Sequence, residues 1–448
     1  MSGGVAAVPD TPLPERLRAF WMPMADTFAV LTALSLPWST SLVGIFSACW
    51  FGSAALTLDY PTYFRSLKQP ICALPLALFA LAAVGVLWSD ASWGARLYAL
   101  GPAIKLLFLP VLFHHFERSS RGMWVFVAFL VSCTLLMVVS WVVMFEPGLA
   151  LKQEELVPVP GIFVKNRIAQ SQEFALCAVA LAYPIYRLLL KNRVRLALLL
   201  SAIVLGLLAN MAFVVVSRTA LVTMPIMLAV FAALHLRWRT SLMIFATVAV
   251  LAGLSFVVSS HLRDTIDSVV LDYKEYKETN RATSIGLRLE FWQKSIGFIA
   301  EDPIAGHGTG STRKLFERVA VGPEVLASGR VIDNPHNQTL NVAVQWGLIG
   351  VVLLWAMWLV HLRIFRGEGL AAWIGLLVVV QNIFTSLFNS HIFDFHEGWM
   401  YVLGVGVAGG MVLKQRERRS IHGAGIGNPD GVSAASQPAS EPTARPTP

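Results

Sequence analysis

Charge is scarce in this chain. Asp, Glu, Lys and Arg together make up 14% of its 448 residues, against about 25% in an ordinary soluble domain. That leaves too little polar surface to wrap a water-soluble globule of this length. Cysteine is rarer still. Cys49, Cys72, Cys133 and Cys177 all lie inside apolar runs with no close pairing, which argues against a disulfide framework or a zinc site and reads them as small buried hydrophobes. Alternating ten-residue strand patterns are missing, which excludes a membrane β-barrel. No cleavable signal peptide is evident, because the first apolar stretch leads straight into another. Nucleophile elbows, Cys–His pairs and paired-carboxylate motifs are also missing, so hydrolase readings have little support.

What the chain has is apolar length. Apolar residues make up 56% of it, and runs of about 20, the length that crosses a bilayer as a helix, recur from Phe20 almost to Met411. Since every backbone polar group inside lipid must be satisfied internally, the expectation is an all-α integral membrane protein. It predicts about twelve transmembrane helices, at 20–36, 41–58, 70–88, 95–114, 122–145, 169–187, 196–216, 219–236, 240–258, 339–362, 370–390 and 397–413. The domain reading follows: a bundle over 1–258, a helical loop over 259–338, further spans over 339–413, and a disordered cytoplasmic tail over 414–448, Gly-, Pro- and Ser-rich from about Ser420.

Basic residues sort to alternate connections. Arg65 and Lys68, Arg118 and Arg121, Arg187 to Arg195, Arg237 and Arg239, Arg363 and Arg366, and Lys414 to Arg419 mark the cytoplasmic side. The other connections then face outward, the periplasm of a Gram-negative inner membrane. The long one, 259–338, holds ten Lys or Arg and eleven Asp or Glu. Its amphipathic run from Ser284 to Ala300 and its many apolar residues suit a small folded cap. Nucleic acid is not expected as a partner, because the basic residues are scattered over short connections.

An unusual set of side chains falls on the outward side. Arg218 stands in Val-Val-Val-Ser-Arg-Thr-Ala, where one span ends and the next begins, either snorkelling to headgroups or binding an anion. Lys165, Asn166 and Arg167 precede the sixth span, where a simple cationic flank is disfavoured because cations prefer helix C-termini. An anion there would gain from both side chains and the helix end. Arg288 and Trp292 share a helix face, so the indole is placed to stack on a guanidinium or a sugar ring. His336, in the turn Asn334-Pro-His-Asn-Gln338, is either a capping residue or a base held neutral by neighbouring arginines. The loop Gly306-His-Gly-Thr-Gly310 fits neither a P-loop nor a dinucleotide fingerprint and reads mainly as a turn closing the Arg288 helix. Asp394 and His396 in the last outward connection are candidate orienters of a catalytic group. His391 beside them makes a metal conceivable, but no ligand-spacing pattern supports one. Together these residues suggest a site for an anionic, lipid-linked substrate.

Four pieces in order carry a family pattern. They are Ser217-Arg218-Thr219-Ala220, Arg288-x-x-x-Trp292 leading to Pro303-x-x-Gly306-x-Gly308, His336-Asn337, and Gly347-x-x-Gly350. Over about 160–390 the chain resembles the bacterial O-antigen ligase superfamily, whose relatives include O-antigen polymerases and protein O-oligosaccharyltransferases. The resemblance implies a GT-C-like membrane glycosyltransferase without cofactor. Its donor would be O-antigen polysaccharide on undecaprenyl diphosphate, and its acceptor, for a ligase, a core sugar of lipid A–core. By motif, Arg218 and Arg288 would bind the diphosphate and His336 would be the catalytic histidine. Arg167 and Lys165 are added from position and charge, with Asn337, Trp292, Asp394 and His396 as supporting residues. A metal-independent, inverting transfer is expected. A non-enzymatic lipid-glycan transporter is the rival of a different class, but the spans carry almost no charge at mid-depth and show no repeat between halves.

Overall fold

The computed structural model describes residues 13–153 and 160–425, most of them helical. The first part contains α1 (Leu13–Ser35), α2 (Thr40–Ala55), α3 (Tyr60–Ser66), α4 (Pro70–Val84), α5 (Trp93–Leu100), α6 (Phe108–Arg118) and α7 (Gly122–Phe145). A minimal parallel pair, β1 (Lys152–Gln153) and β2 (Val164–Lys165), leads into α8 (Arg167–Ala180) and α9 (Ala182–Leu190). Then come α10 (Val194–Phe213), α11 (Arg218–His235), α12 (Trp238–Val258), α13 (Ser260–Thr279), α14 (Ser284–Glu301) and α15 (Thr312–Val319). The chain closes with α16 (Gln338–Ile364), α17 (Leu370–Thr385) and α18 (Phe395–Gly425).

Most apolar runs of the sequence coincide with one of these helices, but 95–114 is divided between α5, a 3-10 turn and α6, and 169–187 between α8 and α9. Among the described residues seven helical segments are long and apolar enough to cross a membrane, or eight if the bent pair α2–α3, which turns by 115°, forms one span. That is fewer than the twelve expected. α4 and α17 are apolar but only 15 and 16 residues long, short of the roughly 20 that a bilayer requires. At the other end α18 continues to Gly425, so the segment expected as tail from 414 begins as helix. Positions 426–448 lie outside the described residues.

Small residues let the central helices approach closely. α18 runs along α6 with Gly406 and Gly410 one helical turn apart on the shared face. A Cβ at Gly406 would meet Leu112 Cβ at 2.5 Å, and one at Gly410 would meet the Phe113 carbonyl at 2.7 Å. Backbone proximity of this kind supplies packing where lipid provides no hydrophobic drive between helices.

α16 is broken where it meets the glycine-rich loop. Gly347 has φ +57° and ψ −155°, a conformation essentially restricted to glycine, and a Cβ there would lie 2.2 Å from the Ile304 carbonyl. Into this break fits the segment 303–310. Leu348 N donates to the Pro303 carbonyl at 2.8 Å, Gly310 N to Gln345 Oε1 at 2.8 Å, and Trp346 Nε1 to Thr309 Oγ1 at 2.9 Å. The Gly-His-Gly-Thr-Gly loop is therefore a docking wedge between α4 and α16, not a phosphate cradle.

Between α12 and α16 the chain builds a small apolar cluster of its own. Phe291 and Phe298 of α14 meet Phe316 of α15 edge-on at 5.6 and 5.3 Å, and Val344 of α16 joins them. This cluster ties α14 to the first turns of α16, which fixes Arg288 relative to His336.

Candidate active site

Two helices begin at one cavity. Arg167 is the first residue of α8, whose N-terminus is capped by Asn166, with Ala169 N donating to Asn166 Oδ1 at 2.9 Å. Arg218 is the first residue of α11, after Ser217 in extended backbone. Both arginines, with Arg288 and Trp292 of α14 and Ser268 of α13, line a cavity of about 520 Å³. A helix start carries roughly half a positive charge, so two converging starts and three guanidiniums create a strongly anion-attracting space.

The guanidiniums differ in how they are held. Arg218 Nη1 donates to Asp272 Oδ2 at 2.9 Å, and Nη2 to Ser268 Oγ at 2.5 Å. Among the described residues Arg288 has only neutral acceptors: Ser284 O at 2.9 Å, Ser284 Oγ at 2.8 Å and the Phe388 carbonyl at 3.3 Å. Among the described residues no carboxylate lies in ion-pairing range of it. Burial pushes the Arg288 pKa down, the charge of Arg218 adds to this, and Asp272 opposes it. Arg288 stays charged, because guanidinium ionises far above neutrality. A partly desolvated charge with no direct carboxylate partner among the described residues is one that an anion would relieve.

His336 stands behind Arg288. Its ring stacks on Phe291 at 6.0 Å, and its backbone is left-handed, φ +53°. An Asx turn holds that conformation, with His336 N donating to Asn334 Oδ1 at 3.0 Å. Non-glycine residues in this region concentrate at functional sites. Nδ1 is 2.8 Å from Asn389 Oδ1, and no bond to Nε2 exists among the described residues. Burial lowers the His336 pKa; the Asn389 bond raises it, Arg288 lowers it and Asp333 raises it. The imidazole is therefore neutral near pH 7, as a proton acceptor must be. It does not itself line the cavity, but the adjacent residues Phe388 and Asn389 bond Arg288 and His336 respectively.

The supporting residues divide. Asp394 accepts from Asn389 Nδ2 at 2.6 Å, so it stands one residue removed from His336. Burial pushes its pKa up to about 8, Glu397 adds to this and Lys105 opposes it. Asn337 caps α16, accepting from Leu340 N at 3.1 Å, and donates to the Leu387 carbonyl at 3.2 Å. Trp292 lines the cavity, with its indole N–H buried and unpartnered. His396 is buried in the first turn of α18, with Nε2 unpartnered and no bond to His336.

Lys165 requires a correction. It is 3% exposed, lies outside the cavity lining, and donates to Glu173 Oε1 at 3.0 Å and to the Leu36 carbonyl. Its left-handed backbone, φ +76°, is followed at once by the cap of α8. The cation two positions before Arg167 is consequently turned inward while Arg167 stays at the cavity.

Sequence reasoning missed Asp272, Ser268 and Ser284, which share out the guanidinium bonds, and Asn389, which bonds His336. None belongs to a recognisable motif, and Asn389 is 53 residues from His336. Among the described residues no group of three or more His, Cys, Asp or Glu is gathered as for a metal ion.

Part of the chain is similar to known proteins. Residues 203–355 match the family described as O-Antigen ligase. The match runs from α10 to the second half of α16 and includes Arg218, Arg288 and His336. An uncharacterized protein of Haemophilus influenzae is 24% identical over 143 residues, which cover 31% of this chain and 36% of that protein.

Proposed function

We propose that this chain, whose residues 203–355 match the family described as O-Antigen ligase, is a membrane glycosyltransferase that transfers O-antigen polysaccharide from undecaprenyl diphosphate to a sugar hydroxyl of lipid A–core. The observation that carries this reading is the cavity lined by Arg167, Arg218 and Arg288, with Arg288 lacking a carboxylate partner among the described residues and His336 beside it. The alternation of basic connections supports a multi-pass protein of the bacterial inner membrane with this cavity on the periplasmic face.

The acceptor oxygen attacks the anomeric carbon from the face opposite the diphosphate, and its proton passes to Nε2 of His336. The bond between the anomeric carbon and the diphosphate oxygen breaks, and the electron pair leaves with the diphosphate. Guanidiniums suit the charge that grows there, since they stay protonated and bind phosphate in a bidentate manner. They take the role a divalent cation would otherwise fill, so transfer is metal-independent. A single displacement inverts the anomeric centre. Trp292 offers a flat apolar face to a sugar ring. Lys165 takes no part.

The test offers purified protein an undecaprenyl-diphosphate glycan with lipid A–core, or with a second lipid-linked glycan. Extension of lipid A–core is expected. Extension of only the lipid-linked glycan would make the enzyme a polymerase on the same donor, and transfer only to Ser or Thr of a protein an oligosaccharyltransferase. Failure with every acceptor would favour a transporter. His336→Ala is expected to bind donor normally and block transfer. Activity lost in EDTA and regained with Mg²⁺ would overturn metal independence, and a retained anomeric configuration would overturn the single displacement.

A further inference from the structure

Resting on the transferase reading, we propose that Asn389 is the positioning residue of His336, holding its imidazole in the Nδ1–H tautomer so that Nε2 is left to take the acceptor proton, and that Asp394 in turn orients Asn389. Which ring nitrogen carries the proton in a neutral histidine is set by the bond the other nitrogen's partner makes. The partner here is an amide whose own orientation is fixed from behind. Asn389 Nδ2 donates to Asp394 Oδ2 at 2.6 Å, and that oxygen accepts whether the carboxyl is ionised or carries its proton on the other oxygen. The amide nitrogen therefore faces Asp394 and Oδ1 faces His336. Asn334 Nδ2 donates to the same Oδ1 at 3.1 Å, so Oδ1 is held as an acceptor by two donors.

The rest of the surroundings leaves no competing partner for Nδ1. Phe291 covers one face of the ring. The groups that act on it electrostatically are Arg288 of α14 and Asp333 of the preceding segment. From the α17–α18 connection comes His391, whose pKa burial lowers to about 3, with His336 and Arg288 adding to the effect. His391 is 1% exposed, so it cannot reach an acceptor hydroxyl in place of His336. Asp394 stands 3.9 Å from His391 and reaches His336 only through Asn389. Without Asn389, the Nδ1–H would be a buried donor with no acceptor, and the ring would be free to turn or change tautomer.

The experiment uses the purified full-length protein with two readouts. One is transfer kinetics with undecaprenyl-diphosphate glycan. The other needs no substrate: carbethoxylation of His336 by diethylpyrocarbonate across pH, followed by peptide mass spectrometry, which gives the ring's protonation midpoint. For Asn389→Ala, kcat should fall about 10- to 100-fold, less than the roughly 10²- to 10⁴-fold that a general base contributes as a whole, with the donor KM unchanged. The modification midpoint should also move to lower pH, since the bond that favours the protonated ring is gone. The exchange Asn389→Asp with Asp394→Asn restores both bonds; it should recover transfer and raise the midpoint above that of the natural protein. A midpoint unmoved in folded Asn389→Ala protein overturns the proposal. Should that variant not fold, an unmoved midpoint in the exchange variant does the same. Because the modification arm is independent of any donor, a wrong substrate assignment would silence only the kinetic arm.

Discussion

Arg218 Nη1 lies 2.9 Å from Asp272 Oδ2, an ion pair that ties the start of α11 to the middle of α13 on the rim of the cavity. Both side chains are partly open to solvent, so the pair is worth about 0.2–1 kcal/mol. An incoming diphosphate must share Arg218 with this carboxylate. Asp272→Asn should therefore lower the donor KM by up to about fivefold, the factor that the upper end of such an energy gives. Steady-state kinetics against donor concentration measures it. A raised KM would show instead that Asp272 is needed to aim the guanidinium.

Among the described residues Arg288 has no carboxylate within ion-pairing range, which leaves its guanidinium available to a ligand. Arg288→Lys keeps the charge but loses the planar fork that binds two phosphate oxygens together. We expect transfer to drop about 10²- to 10³-fold, comparable to removing a donor from a preorganised anion site. Full transfer by Arg288→Lys would mean that a point charge suffices there.

Activity should depend on pH through His336. A general base works when neutral, and both burial and Arg288 hold this imidazole below its ordinary value. The acid limb of kcat/KM should accordingly have its midpoint under about 6.5, the unperturbed histidine value, with a plateau through neutrality. A profile that rises only above pH 7 would exclude His336 as the base.

Lys165 and Glu173 are 3% and 0% exposed and 3.0 Å apart. Removing one partner of such a pair strands the other charge and costs about 3–5 kcal/mol. Lys165→Met and Glu173→Gln should each lower the thermal unfolding temperature in detergent, and the double variant should regain most of the loss. The donor KM of folded Lys165→Met should match the natural protein. A KM raised tenfold would return Lys165 to the donor site.

Much of the site was legible in the sequence, because membrane insertion makes charge expensive and so informative. Arg218, Arg288 and Trp292 stand out as polar punctuation in an apolar text, and the i, i+4 spacing of the last two already places them on one face. His336 was legible from a turn set against an apolar run. Lys165 and Arg167 were not separable, since both precede the same helix. Only the left-handed backbone at Lys165 and the Asn166 cap send one inward and leave the other at the cavity. The twelve expected crossings met a similar limit: hydropathy finds apolar runs, but not the 115° turn between α2 and α3 or the short helical lengths of α4 and α17.

Composition and periodicity by themselves determined that the chain is helical, that it lives in a membrane, and which cations are out of place there, because these follow from solvation energies summed along the chain. Which of those cations face one another, and which amide holds His336, was decided by tertiary structure alone. Such contacts join residues fifty or more positions apart, and no local preference of the chain encodes them.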